Sequence, residues 1–519
     1  MVGKNRHPVI SNPNPETRDP RLETVLRGRH AIVVGTGITG LAAALVLSER
    51  GARVTLVERD AEPPAATAND AFTSWQRRGA PQVRHSHAFL GRLRNLLRDR
   101  HPELLAELLV AGARELRMVD NPPLMLGTLA PQRGDDDLVA LGCRRTTFEW
   151  VVRRHVLSRG HVTLIGGATV RALVAAAGHP PTITGVRYLR EGVEQELSGD
   201  MVIDASGRQS KVVEWLTAIG ARRPFEKEEL SGIVYYTRFY RMRPGVAEPN
   251  PSEYPSVADY HWVKFAVFPA DDRTFSITLA APLSIPRLKI LSRPEAFDEM
   301  VHSFPGLVPW VSPAFSEPIG DPARPVQAMG GLINRLRRFV NRNGPVALGL
   351  FVLGDAAYCT NPLYGRGCTQ GFLHAELLGD ALAKHPTDLA AAATELDAQA
   401  QALLAPFYRA SIIADRDAVR RAEGRRPHRW QDRLRQRFFD DGIAIGTRCD
   451  PVVFRAFLRM LNMLDTPEKA FGEPRVVLRA LRVLARGKNY RRRYELPPAP
   501  DREATIARCL AAAGMSSVE

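Results

Sequence analysis

The chain has 519 residues, 45% of them hydrophobic and 24% charged, the composition of a globular protein with room for two or three structural units around large cores. A net charge of +15 raises the question of nucleic acid, but only eight basic residues are lysine, no basic-aromatic platform alternates along the chain and no nucleic-acid module is recognisable, so that class is set aside. No apolar run reaches the roughly 18 residues of a membrane span, the N-terminus lacks an apolar secretory core, and five scattered cysteines without a C-x-x-C pair speak against a disulfide framework or a zinc site and fit a reducing cytoplasm.

Taken in order, residues 1–28 are rich in Pro, Asn and Arg and are expected to form a tail. Ala31–Val34 is an apolar run suited to a buried parallel strand. Gly35, Gly37 and Gly40 follow in G-x-G-x-x-G spacing, and Leu41, Ala44, Leu45 and Leu47 give a helical stripe that Gly51 ends. Arg53–Val57 is a second strand closed by Glu58. Such a unit binds a dinucleotide. Gly35 allows the tight turn, Gly37 lets a pyrophosphate reach the backbone, and Gly40 lets the helix pack on the strand. Glu58 can accept from both ribose hydroxyls. At this point FAD and NAD are equal candidates.

Pro81–His87 gathers Gln82, Arg84, His85 and His87 before a helix marked by Leu90, Leu93, Leu96 and Leu97. Cys143–Gly160 reads as another helix. Val170–Val174, Ile183–Leu189 and Glu194–Leu197 read as a three-stranded meander, and Val202–Asp204 returns to the sheet before "DASGRQS". From Ser231 to Met329 the chain alternates like antiparallel strands, with a hairpin turning at Ala270–Arg273. Val346–Leu353 is expected to be another buried strand, leading into "GDAAYCTNPLYGRGCTQGF". Helical patterns fill the rest. In one of them Arg475, Arg479, Arg482 and Arg486 share a face, which reads either as a solvated face or as a lipid-surface helix.

Three motifs in this order, "GTGITG" with Glu58, "DASGRQS" and "GDAAYCTNPLYGRGCTQG", resemble the flavoprotein monooxygenases of the para-hydroxybenzoate hydroxylase type. Shorter stretches, "RRGAPQVRHSHAF", "CRRTTFEWVVR", "SGIVYYTRFYR" and "NPLYGRG", are similar to actinobacterial flavin epoxidases acting on polyether precursors. The resemblance implies an α/β fold: a Rossmann-like FAD-binding domain (29–224 and 331–400) with an inserted β-meander, an antiparallel-sheet substrate domain (225–330), a helical C-terminal region (401–495) and a tail (496–519). It implies that Asp355 holds the flavin ribityl chain, that Pro362, Gly365 and Gly367 pass against the ring, and that Arg145, Asp204 and Gly207 lie near the cofactor. Ile38, Thr39, Arg59, Gln82, Gly354 and Cys368, beside these motifs, join the expected cofactor set.

The expected chemistry is oxygen insertion by a flavin C4a-hydroperoxide. O2 and NADH or NADPH are consumed, the nicotinamide is a transient visitor or is replaced by a partner reductase, and the substrate is a lipophilic or aromatic small molecule. Arg84, His85 and His87 are the candidates for shaping the oxygen-transfer pocket. A halogenase would carry W-x-W-x-I-P and a catalytic Lys on the early loop; neither occurs. A reductase of the geranylgeranyl reductase type, and a non-catalytic prenyl-binding protein, are the competing expectations.

Overall fold

The computed structural model describes residues 24–60, 66–250, 252–425, 427 and 429–515. Most of the expected N-terminal tail lies outside them, but Leu26 is fully buried in the main core.

The centre is a five-stranded parallel sheet. Its strands are β1 (His30–Val34), β2 (Arg53–Val57), β3 (Val162–Ile165), β7 (Met201–Asp204) and β11 (Leu350–Val352), in the order β11-β7-β1-β2-β3. These strands are short and apolar because helices cover both faces. Helix α1 (Ile38–Glu49) buries nearly all its residues, and α2 (Gly91–Arg100) and α3 (Arg145–Leu157) pack around it in the same core. Between β3 and β7 stands the meander β4 (Ala168–Ala176), β5 (Thr182–Arg190) and β6 (Val193–Ser198). Its second turn uses Glu191 and Gly192 at φ 52° and 79°, the left-handed pair of a tight hairpin.

The expected strand Val346–Leu353 is shorter than its apolar run. Gly349 takes φ +71°, where an added Cβ would meet the Ile183 carbonyl at 2.9 Å. This kink leaves Leu350–Val352 to pair with β7, while Leu348 bridges to Thr182.

The second layer is an antiparallel sheet built on β8 (Ile233–Met242), β9 (Lys264–Pro269) and β10 (Thr274–Pro282), with short strands 257–259, 316–319 and 327–329 at its margins. Its alternation buries one face in a separate core of Phe265, Phe275, Ile277, Phe297 and Trp310. The β9–β10 turn is pinned to the first unit. Buried Asp271 accepts from the Arg144 backbone N–H (2.6 Å), from Arg144 Nε (3.0 Å) and from Thr147 Oγ1 (2.7 Å), which fixes the sheet over the start of α3.

The chain then returns to the first unit with α4 (Gly367–Lys384), packed along α1, followed by α5 (Ala405–Ala422) and α6 (Pro474–Ala485). Residues 502–512, taken from the sequence as tail, form a helix α7 (Arg502–Ala512) whose Ile506, Cys509 and Leu510 complete the core of the antiparallel sheet.

Candidate functional site

Loops from both ends of the chain meet in one cavity of about 740 Å³, lined by Gly35 and Gly37, by Glu58, by Gln82 and His85–His87, by Gly207 and Arg208, and by Asp355, Pro362 and Gly365–Cys368. The meeting depends on close backbone packing. A Cβ on Gly40 would lie 1.9 Å from the Gly35 carbonyl, and Gly35 itself takes φ +93°. Thr39 fits between Gly354 and Gly371, where an added Cβ would meet Thr39 Oγ1 at 2.4 Å in each case. Gly37, by contrast, has nothing within 4 Å of such a Cβ: its face is open to the cavity.

Glu58 lines this space but is already engaged. Its Oε2 accepts from the Thr36 N–H (2.8 Å) and Thr36 Oγ1 (2.6 Å), and its Oε1 accepts from the Asp60 N–H (2.9 Å). Burial alone would raise its pKa; the Arg77 guanidinium at 3.2 Å and these hydrogen bonds outweigh it and hold the carboxyl at about 2. A carboxylate offers about four lone-pair sites, so Oε1 keeps room for one hydroxyl donor rather than the expected two. Asp355 shows the reverse condition. Its carboxylate makes no side-chain hydrogen bond or ion pair among the described residues, lines the cavity, and is pushed up by burial against the pull of Arg208, Arg145 and Arg335. The half-buried carboxylate thus keeps its acceptor sites open toward the cavity, where a ligand hydroxyl would fit.

The two histidines sit in different hydrogen-bonding surroundings. A chain of hydroxyls runs Ser276–Ser86–Thr278–Thr237–His85 Nδ1, with steps of 2.7, 2.6, 2.8 and 3.0 Å. Each hydroxyl has one proton to give. Ser276 is buried and has no other partner among the described residues. The chain ends on His85 Nδ1, and because Ser86 also lines the cavity and has an outlet there for its proton, the chain holds the ring in place without fixing which nitrogen carries the hydrogen. His87 Nδ1 donates to the His85 carbonyl at 2.9 Å, which leaves Nε2 to accept from Arg145 Nη1 at 3.4 Å. Burial, with the charges of Arg208 and Arg145 respectively, lowers His85 to about 4 and His87 to about 3. Both rings are neutral at pH 7. His85 therefore presents an uncharged ring to the cavity.

Of the residues expected at the site, Gly35, Gly37, Ile38, Thr39, Glu58, Arg59, Gln82, His85, His87, Arg145, Gly207, Asp355, Pro362, Gly365, Gly367 and Cys368 line the cavity. Four do not. Arg84 donates to the Thr73 carbonyl at 3.1 Å instead. Gly40 and Gly354 lie behind the wall as packing positions. Asp204 is fully buried with its oxygens taken up by Ser206 and Ser210, so it shapes the Gly207 turn from behind.

Three groups were missed from sequence. Arg77 bridges Glu58 (3.2 Å), Asp60 (3.0 Å) and Glu149 (2.8 Å), and Glu149 in turn holds Arg145 at 2.7 Å. Arg208 follows Gly207 inside a motif already singled out, and that adjacency was the available signal. Asp415 on α5 accepts from Asn334 Nδ2 (2.6 Å), Asn361 Nδ2 (2.8 Å) and Tyr364 OH (3.2 Å). It thereby holds the 361–364 loop from outside the cavity, and nothing in its own segment of sequence marks it.

The helices α1 and α4 both begin at this cavity, so their free N–H groups and positive dipole ends face it. With the open Gly37 face, the unpartnered Asp355 and one free site on Glu58, the residues present fit FAD. Residues 30–246 match the family described as DAO, FAD dependent oxidoreductase. The chain is an FAD-dependent oxidoreductase. This flavoenzyme is 29% identical over 469 residues to Protein Rv3254 of Mycobacterium tuberculosis, covering 84% of this chain and 90% of that one. In fold it is similar to the myxobacterial chondrochloren halogenase CndH (TM-score 0.56, 18% identity, 84% and 97% of the two chains). It is also similar to OxyS anhydrotetracycline hydroxylase from Streptomyces rimosus (0.53, 18%, 84% and 76%) and to the flavin-dependent brominase Bmp2 (0.53, 16%, 88% and 100%).

Proposed function

We propose that this flavoenzyme is a monooxygenase that inserts one atom of O2 into a lipophilic, aromatic or polyketide-like small molecule, with NADH or NADPH as the electron donor. When bound, FAD supplies the redox and oxygen chemistry; the protein's share is binding, orientation and exclusion of water. Gly37, Glu58 and Arg59 would take the nucleotide end, Asp355 the hydroxylated chain, and Pro362–Cys368 the ring. The observation that carries the reading is the pair of neutral imidazoles at the cavity wall beside the Pro362–Cys368 loop. At pH 7 His85 adds no charge to a pocket for an uncharged molecule. His87 fixes Arg145, whose charge Glu149 balances. Similarity to halogenases is one of fold alone, and the early loop carries no lysine.

The test is oxygen consumption by the FAD-loaded enzyme with NADH or NADPH and a panel of lipophilic alkenes and phenols, with product masses. A gain of one oxygen is expected. A gain of two hydrogens without oxygen uptake establishes a reductase instead, and a halide-dependent product a halogenase.

A further inference from the structure

Helix α6 takes no part in the cofactor cavity, yet its surface is organised. It buries Val476, Ala480 and Val483, the first two in a small core with Ile443, Val453 and Ala456. At 3.6 residues per turn, the rest of its circumference divides into two adjoining rows. One is apolar: Leu478 and Leu481 are 50% and 49% exposed, with exposed Ala485 between them in projection. The other is Arg475, Arg479, Arg482 and Arg486, all exposed. Residues 474–493 contain eight arginines and lysines and no acid. Arg479 meets Asp450 and Arg491 meets Asp441, both at 3.4 Å, while Arg475, Arg482, Lys488, Arg492 and Arg493 make no ion pair among the described residues.

We propose that this face docks on an anionic lipid bilayer, with Leu478 and Leu481 entering the headgroup–acyl boundary and the arginine row lying on the phosphates. An interfacial helix needs both rows side by side. Nucleic acid would engage the arginines and leave the leucines in water. A second copy of the chain would bring two arginine rows together. No helix among the described residues is long and apolar enough to cross a membrane, so the contact is with the surface.

The experiment is co-sedimentation of the full-length, FAD-loaded protein with phosphatidylcholine vesicles, with and without phosphatidylglycerol. Binding is expected only with the anionic lipid and should weaken with added salt. The pair R475Q/R482Q should weaken it by about 25-fold, roughly fivefold per arginine, and L478S/L481S should abolish it. These side chains are exposed, and unchanged flavin absorbance and circular dichroism verify that the variants are folded. Absence of binding to phosphatidylglycerol vesicles overturns the proposal. So does undiminished binding by L478S/L481S, which would mean adsorption by charge alone. A dimer in sedimentation equilibrium that L478S/L481S dissolves, or tighter binding to RNA than to vesicles, overturns it equally.

Discussion

In the proposed cofactor placement Glu58 has to serve a ribose while it is already holding its own loop, and Asp355 has no side-chain partner among the described residues until a ligand arrives. The two carboxylates therefore respond differently to mutation. Asp355→Ala removes an acceptor that the fold does not use, so folding should be unchanged while FAD affinity falls by about 1.5–3 kcal/mol, roughly ten- to a hundredfold, in a fluorescence titration. Glu58→Gln strips Arg77 of a partner and puts an amide against the Thr36 N–H, so it should lower the stability of the apoprotein as well as its FAD affinity. The histidines set the acid limit. Unfolded imidazoles bind protons near pH 6.5, whereas the folded ones wait until about 4 and about 3, so stability rises with pH across that window. Each ring should account for about 2 kcal/mol of destabilisation at pH 5 relative to pH 7.5. His87→Gln should flatten the fall in melting temperature between those two pH values; an unchanged slope would mean that the ring is already charged in the fold.

At the scale of elements, α1 and α4 meet along a seam of missing side chains. Gly371 faces Thr39, and Gly379 faces Val46 and Arg50 at 2.4 and 2.5 Å from its notional Cβ. Gly371→Ala should destabilise the protein by about 1–3 kcal/mol and reduce the flavin retained on purification; adding Thr39→Ala should restore part of both, because Thr39 Oγ1 is the nearest colliding atom. Sequence pattern disclosed the elements that this seam joins. The strand–loop–helix of 30–49 and the strand and helix around Asp355 carry fixed spacings and specialised residues, and both units form, the second with its strand shortened at Gly349. Gly371 and Gly379 inside α4 carry no such mark, since a glycine within a helix reads as a weakness until its neighbour is known. Arg77 and Asp415 escaped for the same reason: their partners come from segments far away in the chain. Arg84 misled in the opposite direction, because its place beside two cavity histidines says nothing about which way a 3-10 turn aims it.

For the whole molecule, the cavity is a joint between the parallel-sheet unit and the return segment, with the antiparallel sheet pinned above it through Asp271. A ligand held on both sides of a joint stabilises the assembly by mass action. At one hundred times its dissociation constant, FAD should contribute about 2.7 kcal/mol to the apoprotein, read as a concentration-dependent rise in melting temperature. An Asp271→Ala variant should lose part of that rise, because the sheet is then free to lift from the start of α3.

Arg50 reaches Asp380 over a separation of 330 positions, and the two helices it ties together each begin at the cavity proposed to hold the flavin. During translation the ribosome therefore releases a finished nucleotide loop long before the half proposed to grip the ring exists. Cofactor capture must wait until α4 has emerged, so a nascent or truncated chain stopping near residue 350 should remain colourless although its entire front unit has been made.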